Sequence, residues 1–266
     1  MKLNADAAYH NTLGVIDNYG FKMGNKYNQI YFSSNESLND MFSHFDFEGL
    51  DVLSVLASGD QAFHFFNSGA KSVDLFDANI LTLYYYYLRV WTIKYLNQYY
   101  PDVSLSKEYF DKIFSMVKPC SEIEKKVLDY WKLFVSDYCP KNISRLFLMR
   151  KLNKNNYIEN LDIINSNLDR INFYNINLCD KNSIKKKYDV IFTSNIHEYV
   201  QAGTLRFNNY KMNLFNALNS GGMVIGTNIR DNLFNLIRDN MEDLFNFKEI
   251  PNQSGKTPLG FSYIKR

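Results

Sequence analysis

The stretch DVLSVLASGDQAFHFF, residues 51–66, decides the fold, because it changes from a strand pattern to a helix pattern at a single turn. Residues 51–57 form an almost continuous apolar run, which is typical of a strand buried on both faces of a parallel sheet. The run stops at Ser58-Gly59-Asp60, and apolar side chains then recur at the spacing of one helix face. The stretch therefore predicts a buried strand, a tight turn and a helix in direct succession.

The same alternation of strand and helix continues along the chain. Further strands are predicted at 71–77, 170–178, 188–196 and 223–229, and further helices at 80–95, 205–218 and 232–244. Gly221-Gly222 is expected to end the helix at 205–218. The tail alternates apolar and polar residues around a turn that contains Gly and Pro, which predicts an antiparallel hairpin. We therefore predict an α/β class fold with a Rossmann-like, mostly parallel sheet and an antiparallel C-terminal hairpin.

Length and composition bound the domain organisation. The 266 residues, of which 46% are hydrophobic, can bury one sizeable core. Residues 1–50 are mixed in character and are interpreted as an N-terminal lead-in or cap segment, and residues 51–266 as the ligand-binding domain. Residues 101–170 show no strand pattern, and their apolar residues recur at helical spacing between prolines. This part predicts a helical insertion at about 101–168.

Charge and cysteine content exclude several classes of protein. A net charge of +2, from 30 basic and 28 acidic residues, gives no electrostatic footprint for nucleic acid. No apolar run reaches the roughly 20 residues that an integral membrane segment needs, and the N-terminal residues lack a signal-peptide pattern. The three cysteines lack metal-type spacing and fit a reduced, cytoplasmic environment. Since His10 and His44 have no recognisable partner, we expect no metal.

The turn at Ser58-Gly59-Asp60 is the expected ligand site. In sheets of this kind, ligands bind beyond the carboxyl ends of the strands, where the strand order reverses. A glycine lets the backbone bend sharply and approach a ligand closely. Asp77 ends the second strand of the unit, and an acid at that place can accept hydrogen bonds from both hydroxyls of a ribose. Together these features predict an adenosine-type site with Asp77 on the ribose.

The chemistry of the turn distinguishes between nucleotides. A dinucleotide site needs several glycines so that pyrophosphate can reach a helix N-terminus, and only Gly59 is present here. Asp60 would also repel pyrophosphate. An acid suits a ligand that carries an ammonium or a sulfonium, so we expect S-adenosylmethionine as the cofactor, with Asp60 or the nearby backbone facing its amino-acid end. A nicotinamide-dependent oxidoreductase is disfavoured for the same reasons.

Four segments carry a resemblance to a known superfamily: DVLSVLASGDQ…GAKSVDLFDAN, YDVIFTSNI, LNSGGMVIGTN and the final hairpin. From about residue 50 onward they resemble class I S-adenosylmethionine-dependent methyltransferases. Shorter strings, S-G-D-Q, F-D-A-N and S-N-I together with IYFSSNESL before the first strand, are most similar to the family of bacterial diacylglycerol 3-amino-3-carboxypropyl transferases, which make betaine-lipid headgroups. The resemblance implies a transferase that uses S-adenosylmethionine.

The resemblance also implies roles for particular residues. The segment around the turn would wrap the methionine part of the cofactor: Ala57, Ser58, Gly59, Asp60 and Gln61. Asp77 would hold the ribose, while Ala78, Asn79, Asn177 and Leu178 would border the adenine; many methyltransferases have an aspartate where Asn177 stands. Ser194, Asn195 and Ile196 would face the sulfonium, and Asn35 and Glu36 would close the pocket from the N-terminal side.

The reaction itself stays open at the level of sequence. A nucleophile can attack the methyl group or the γ-carbon of the methionine part, which gives methyl or aminocarboxypropyl transfer to a small-molecule or lipid acceptor. Alignment of the partners can supply much of the rate. His197 follows the fourth strand and could act as a general base oriented by Glu198, or it could simply cap or pack. The rival class is a non-catalytic scaffold that binds or has lost the cofactor, and the oligomeric state is not predicted.

Overall fold

A computed structural model describes residues 30–34, 36–102, 106–137, 147–148, 156–168, 171–227, 231–251 and 258–266. These residues divide into two compact units, and each is described by itself. The helical unit comprises the described residues of Met1–Asn35, Leu56–Asp60 and Asn79–Leu168. The sheet unit comprises those of Glu36–Val55, Gln61–Ala78 and Asp169–Arg266. The predicted boundary at residue 50 stays a prediction.

The strands and helices follow the predicted alternation. The strands are β1 Ile30–Tyr31, β2 Asp51–Val55, β3 Ser72–Phe76, β4 Phe147–Leu148, β5 Ile171–Tyr174, β6 Tyr188–Ser194, β7 Leu218–Thr227, β8 Phe245–Ile250 and β9 Gly260–Lys265. The helices are α1 Leu38–Phe42, α2 Asp60–Asn67, α3 Ile80–Leu96, α4 Lys107–Met116, α5 Glu122–Asp137, α6 Leu161–Asn165, α7 Leu205–Ala217 and α8 Asp231–Met241. A short 3-10 helix spans Ile196–Tyr199.

The sheet unit is built on seven strands in the order β5-β3-β2-β6-β7-β9-β8. The four pairs from β5 to β7 are parallel, and the two pairs that involve β9 are antiparallel. The chain moves outward from β2 to β5, then returns to β6 on the other side of β2. The predicted Rossmann-like sheet with an antiparallel C-terminal hairpin is confirmed, and its strand order reverses between β2 and β6.

Aromatic packing holds α1 and α2 on the central strands of the sheet unit. The ring centroids of Phe42 in α1 and Phe65 in α2 lie 4.4 Å apart. Both rings contact Phe192 of β6, at 5.7 and 5.8 Å. All three side chains are buried, and a buried aromatic pair stabilises by about 0.5–1.5 kcal/mol beyond its area. The apolar side chains after the turn at 58–60 are therefore buried in the core of this unit.

The start of β7 differs from the prediction. Gly221-Gly222 was expected to end a helix, but α7 ends at Ala217 and the two glycines lie inside β7. The register jumps there, since Tyr188 pairs with Leu218 and Val190 pairs with Met223. A Cβ on Gly222 would lie 3.0 Å from the carbonyl oxygen of Asp189. The glycines thus allow a bulged strand to approach β6 closely.

Asp74, in the middle of β3, is a buried carboxylate that pairs with Lys186 of the basic run before β6. Asp74 is fully buried, and its carboxylate accepts hydrogen bonds from Asn172, Lys186 and Tyr188 at 2.8–2.9 Å. In the sheet, β2 separates the strand of Asp74 from β6, and the two strands are far apart in sequence. The lysine run at 185–187 is therefore partly structural, because a buried charge is costly unless it is paired and hydrogen-bonded.

The helical unit is packed around α3, which is apolar on nearly all sides. Tyr84, Tyr85 and Tyr86 of the YYYY run are buried. The Trp131 indole N–H of α5 donates to the Tyr84 carbonyl at 2.9 Å. Within 101–170, where no strand pattern was found, β4 nevertheless pairs with β1 in parallel over two residues. Among the helices of the described ranges, none is both long and apolar enough to cross a membrane.

Candidate functional site

The reversal point of the sheet gathers the ends of β2, β3, β6 and β7 at one edge. These strands are parallel, so their carboxyl ends face the same way. In open α/β sheets this edge is where ligands bind. Most of the site residues predicted from sequence follow the ends of β2, β3 and β6 along the chain. Asn177 and Leu178 follow β5, which is parallel to β3, and Asn35 and Glu36 precede α1. Asn35 lies outside the described residues.

The turn after β2 has an unusual backbone. Ala57 and Gly59 both have positive φ, 45° and 87°, and the Gly59 N–H donates to the Leu56 carbonyl at 2.7 Å. A Cβ on Gly59 would lie 3.1 Å from the ring of Tyr86. Glycine is therefore favoured here by the positive φ and by the small space beside Tyr86. The sequence-based reason for a glycine, close approach of a ligand to the backbone, stays a prediction.

The Asp60 carboxylate is fully engaged inside the helical unit. It is completely buried and forms an ion pair with Arg89, with 2.7 Å between Asp60 Oδ1 and Arg89 Nη1. It also accepts hydrogen bonds from the Ser34 N–H, the Ser58 hydroxyl and the Tyr100 hydroxyl, at 2.6–3.0 Å. The positive charge of Arg89 offsets the negative charge of Asp60. The sequence-based preference for a cationic ligand relied on that negative charge, so the ion pair weakens it. A ligand role for this turn stays a prediction and rests on its backbone.

Glu36 provides a further buried carboxylate in the sheet unit. Glu36 accepts hydrogen bonds from the hydroxyls of Ser194 and Thr227, the latter at 2.8 Å, and from the Gln61 side-chain amide at 3.2 Å. Ser194 and Thr227 are the last residues of β6 and β7. Ser194 has a φ of 51°, and non-glycine residues with such strained backbones cluster at functional sites.

Three of the four members of this Glu36 cluster were predicted from sequence: Glu36, Gln61 and Ser194. Thr227 was missed, because the strand that contains it was predicted to continue to residue 229. The available signal was the change from an apolar run to a polar residue, which had identified Ser194 at the end of β6. Residues distant in sequence thus converge on one carboxylate at the edge where the strand order reverses.

Asp77 lies directly after β3, and its backbone is fixed by Asn175. The Asp77 N–H donates to the Tyr174 carbonyl at 3.2 Å. The Asn175 side-chain amide donates to the carbonyls of Asp77 and Ala78, at 2.8 and 3.2 Å. The Asp77 side chain is half-buried and Ala78 is exposed. Asn175 was not predicted; the polar residue that follows β5 was its only sequence signal.

The other predicted adenine contacts have structural duties of their own. The Asn79 side chain caps α3 by accepting from the Leu81 N–H at 3.0 Å. The Asn177 side chain accepts from the Cys179 N–H at 2.9 Å. Leu178 is buried, and its carbonyl accepts from the Asn213 amide of α7 at 2.8 Å. Their adenine contacts stay predictions, and the two asparagine oxygens already have donors.

The predicted catalytic pair follows β6. His197 is buried, and its ring packs edge-on against Phe261. Burial lowers the pKa of His197 to about 3, so its imidazole is neutral near pH 7 but weakly basic, a poor match for proton abstraction. Its Nδ1 atom has no hydrogen-bond partner among the described residues, so Glu198 does not orient that nitrogen. The base role stays a prediction.

The remaining residues of this segment are partly accessible. Asn195 and Ile196 are half-buried, and the Asn195 amide donates to the Tyr199 hydroxyl at 3.4 Å. Tyr199 is 50% exposed. In the described part of the chain, no group of three or more His, Cys, Asp or Glu side chains could hold a metal ion. The arrangement at this edge is a set of oxygen and amide groups, with one acid, Asp77, directly after β3 and another, Glu36, before α1.

Comparison with known proteins gives only distant likenesses. No protein-family model matches the chain, and no curated protein does. The N-methyltransferase NodS from Bradyrhizobium japonicum WM9, in complex with S-adenosyl-l-homocysteine, has a TM-score of 0.43 and 10% identity, over 97% of this chain and 98% of that one. A methyltransferase from Pyrococcus furiosus has a TM-score of 0.44 and 12% identity, over 98% of each chain.

A third solved structure is similar to the same degree. The TehB-like SAM-dependent methyltransferase from Corynebacterium glutamicum ATCC 13032 has a TM-score of 0.43 and 9% identity, over 88% of this chain and 89% of that one. At such TM-scores and identities, the likenesses are too distant to assign an activity.

Proposed function

We propose that the chain is an S-adenosylmethionine-dependent transferase of the methyltransferase type. The observation that carries the proposal is the strand-order reversal between β2 and β6, with polar side chains at the neighbouring strand ends. A half-buried acid, Asp77, follows β3 directly, and the buried Glu36 cluster lies at the ends of β6 and β7. A sheet with this reversal and an acid after its second strand fits an adenosine ligand.

The hydrogen-bonding groups of the residues at this edge fit those of S-adenosylmethionine. The Asp77 carboxylate supplies two acceptor oxygens for the two hydroxyls of a ribose, and the Asn175 amide fixes the backbone that carries it. Gln61 and Ser194 bring an amide and a hydroxyl to the Glu36 carboxylate. The turn at 57–60 follows β2 without a break in the chain, and we propose from its sequence that its backbone meets the methionine part.

When bound, the cofactor would supply an activated carbon on a sulfonium, which is open to attack by an acceptor nucleophile. The work of this chain is then to hold and align the partners, which supplies much of the rate in transfers of this kind. A weakly basic His197 is consistent with a chain that aligns the partners and does not abstract a proton. We further propose, from the sequence resemblance, that either a methyl or a 3-amino-3-carboxypropyl group moves to a small-molecule or lipid acceptor.

A thermal-shift titration tests the proposal. The wild-type chain is titrated with S-adenosylmethionine, S-adenosylhomocysteine, methylthioadenosine and NAD. A ligand bound specifically by the native state at 100 times its dissociation constant adds about 2.7 kcal/mol to the free energy of unfolding, which shifts the melting temperature visibly. A shift with the adenosyl sulfur compounds but not with NAD is expected.

The product that binds better distinguishes the two transfers. Preference for S-adenosylhomocysteine would favour methyl transfer, and preference for methylthioadenosine would favour aminocarboxypropyl transfer. A shift with NAD alone would contradict the proposal. The absence of any shift would put the non-catalytic scaffold first.

A further inference from the structure

One arginine of the helical unit contacts the turn after β2 at two points. Arg89 lies on α3 and is completely buried. Its Nη1 atom donates to the Ser58 carbonyl at 2.9 Å and to Asp60 Oδ1 at 2.7 Å. Its Nη2 atom donates to the Tyr99 carbonyl at 3.0 Å. A single guanidinium thus joins the turn to the chain that follows α3.

The surroundings of Arg89 fix its position. Its guanidinium carbon lies 4.8 and 4.5 Å from the ring centroids of Tyr99 and Tyr100, which is within the range of a cation–π contact. Burial and the neighbouring Asp60 raise the pKa of Tyr100, so its hydroxyl keeps its proton and donates to Asp60 at 3.0 Å. The planar fork of an arginine can serve carbonyl and carboxylate acceptors together.

The turn needs such a brace because its own backbone is strained. Ala57 has a φ of 45°, which is unfavourable for a residue with a Cβ. Conformations of this kind persist only where the surroundings over-determine them. Arg89 holds the Ser58 carbonyl on one side of Gly59 and the Asp60 carboxylate on the other. The turn is therefore braced by a residue that lies 29 positions further along the chain than Asp60.

We infer that Arg89 is a positioning residue that holds the turn at 56–60 in the conformation that receives S-adenosylmethionine. The inference rests on the proposed function. Arg89 acts through the turn and does not itself contact the cofactor. Its sequence signal is that it is the lone arginine in the otherwise largely apolar helix ILTLYYYYLRVWTIKYL. Some buried charges fix a single conformation of the chain, and that role is testable here.

The test uses Arg89→Lys, which keeps the positive charge beside Asp60 but loses the planar fork. The matched control is Trp131→Phe, which removes a buried hydrogen bond to the Tyr84 carbonyl in the same unit. Two properties are measured in the full-length protein at a temperature where every variant is folded. They are the hydrogen exchange of the amides at 56–60 and the dissociation constant for S-adenosylmethionine.

For Arg89→Lys we expect faster exchange at 56–60, unchanged exchange in β2, and binding weakened about tenfold, a coupling typical of groups in one network. Trp131→Phe should leave both readouts near wild type, although its melting temperature falls. If Arg89→Lys does not fold, Tyr100→Phe, which removes one donor to Asp60, should shift both readouts in the same direction by a smaller factor.

The outcomes separate this inference from the proposed function. Unchanged exchange at 56–60, or unchanged affinity beside a wild type that binds, would overturn the role of Arg89 alone. An equal loss of affinity in Trp131→Phe would reduce Arg89 to a general structural residue. A wild type that binds none of the adenosyl sulfur compounds would overturn the proposed function, and the inference with it.

Discussion

The imidazole of His197 packs edge-on against the ring of Phe261, with 4.7 Å between the ring centroids. The contact lies inside the sheet unit, and His197 is 97% buried there, with 3% of its surface exposed. Burial lowers the pKa of His197 to about 3, from 6.5. The folded protein therefore keeps this histidine neutral at pH values where the unfolded chain protonates it.

The first prediction concerns acid stability. Below about pH 6.5 the unfolded chain binds a proton at His197 that the folded chain does not, so stability falls with pH until about pH 3. Between pH 7.5 and pH 5 this one group should cost about 2 kcal/mol. His197→Phe should remove that part of the loss, as measured by urea unfolding at both pH values.

The control for this prediction is His44→Gln, which changes an exposed histidine. It should leave the difference between the two pH values as in wild type. If His197→Phe loses as much stability on acidification as wild type does, the imidazole is not held neutral by burial.

The second prediction concerns Asp77 and the cofactor. Asp77→Ala should weaken the binding of S-adenosylmethionine by about 1–3 kcal/mol, the range for hydrogen bonds to a charged group. Isothermal titration measures the loss. Asp239→Ala, which changes an exposed acid on α8, is the matched control and should bind as wild type does. Unchanged affinity in a folded Asp77→Ala protein would remove this residue from the site.

The third prediction compares two glycines with positive φ. Gly49 has a φ of 73° and open space where a Cβ would stand, whereas a Cβ on Gly59 would press on Tyr86. Gly49→Ala should cost about 1–2 kcal/mol from backbone strain alone. Gly59→Ala should cost about 1 kcal/mol more, from overpacking, and should also weaken cofactor binding. If chemical denaturation gives the same loss of stability for both variants, the Tyr86 ring can move away from the new Cβ at no cost in free energy.

The fourth prediction concerns the Glu36 cluster. Thr227→Val keeps the shape of the side chain but removes a donor to the Glu36 carboxylate. It should cost about 1.5–3 kcal/mol of stability, as is usual for a hydrogen bond to a charged group. Thr193→Val is the control, since its hydroxyl lies 3.4 Å from a neutral partner, the Ile225 carbonyl, and should cost about 1 kcal/mol. A smaller loss in Thr227→Val than in the control would argue against a stabilising hydrogen bond from Thr227 to Glu36.

The sequence predicted the sheet well because apolar runs report burial directly. The strands around 51–57, 71–77 and 188–196 were all recognised, since a strand covered on both faces has few polar residues. Gly221-Gly222 was misinterpreted because glycine can mark a helix end or a strand bulge, and only the pairing partner distinguishes them. The predicted turn of the final hairpin includes 252–257, which lie outside the described residues.

The candidate site was harder to predict, because its bonds join distant positions. Ser194 and Thr227 meet Glu36 across 158 and 191 positions of the chain, and no local pattern reports such a contact. The sequence identified Asp60 as an acid at a turn, but its partner Arg89 belongs to another element. The charge that the turn presents could therefore be judged only once the pair was seen.

The position of β9 has a consequence for how the protein is synthesised. This last strand along the chain does not lie at the rim; it is inserted between β7 and β8 and pairs with both. When β8 leaves the ribosome, its partner has not yet been made, so β7 still exposes an unpaired edge. The sheet can close only after residues 260–265 emerge. A ribosome stalled just before them should therefore carry a chain prone to capture by chaperones.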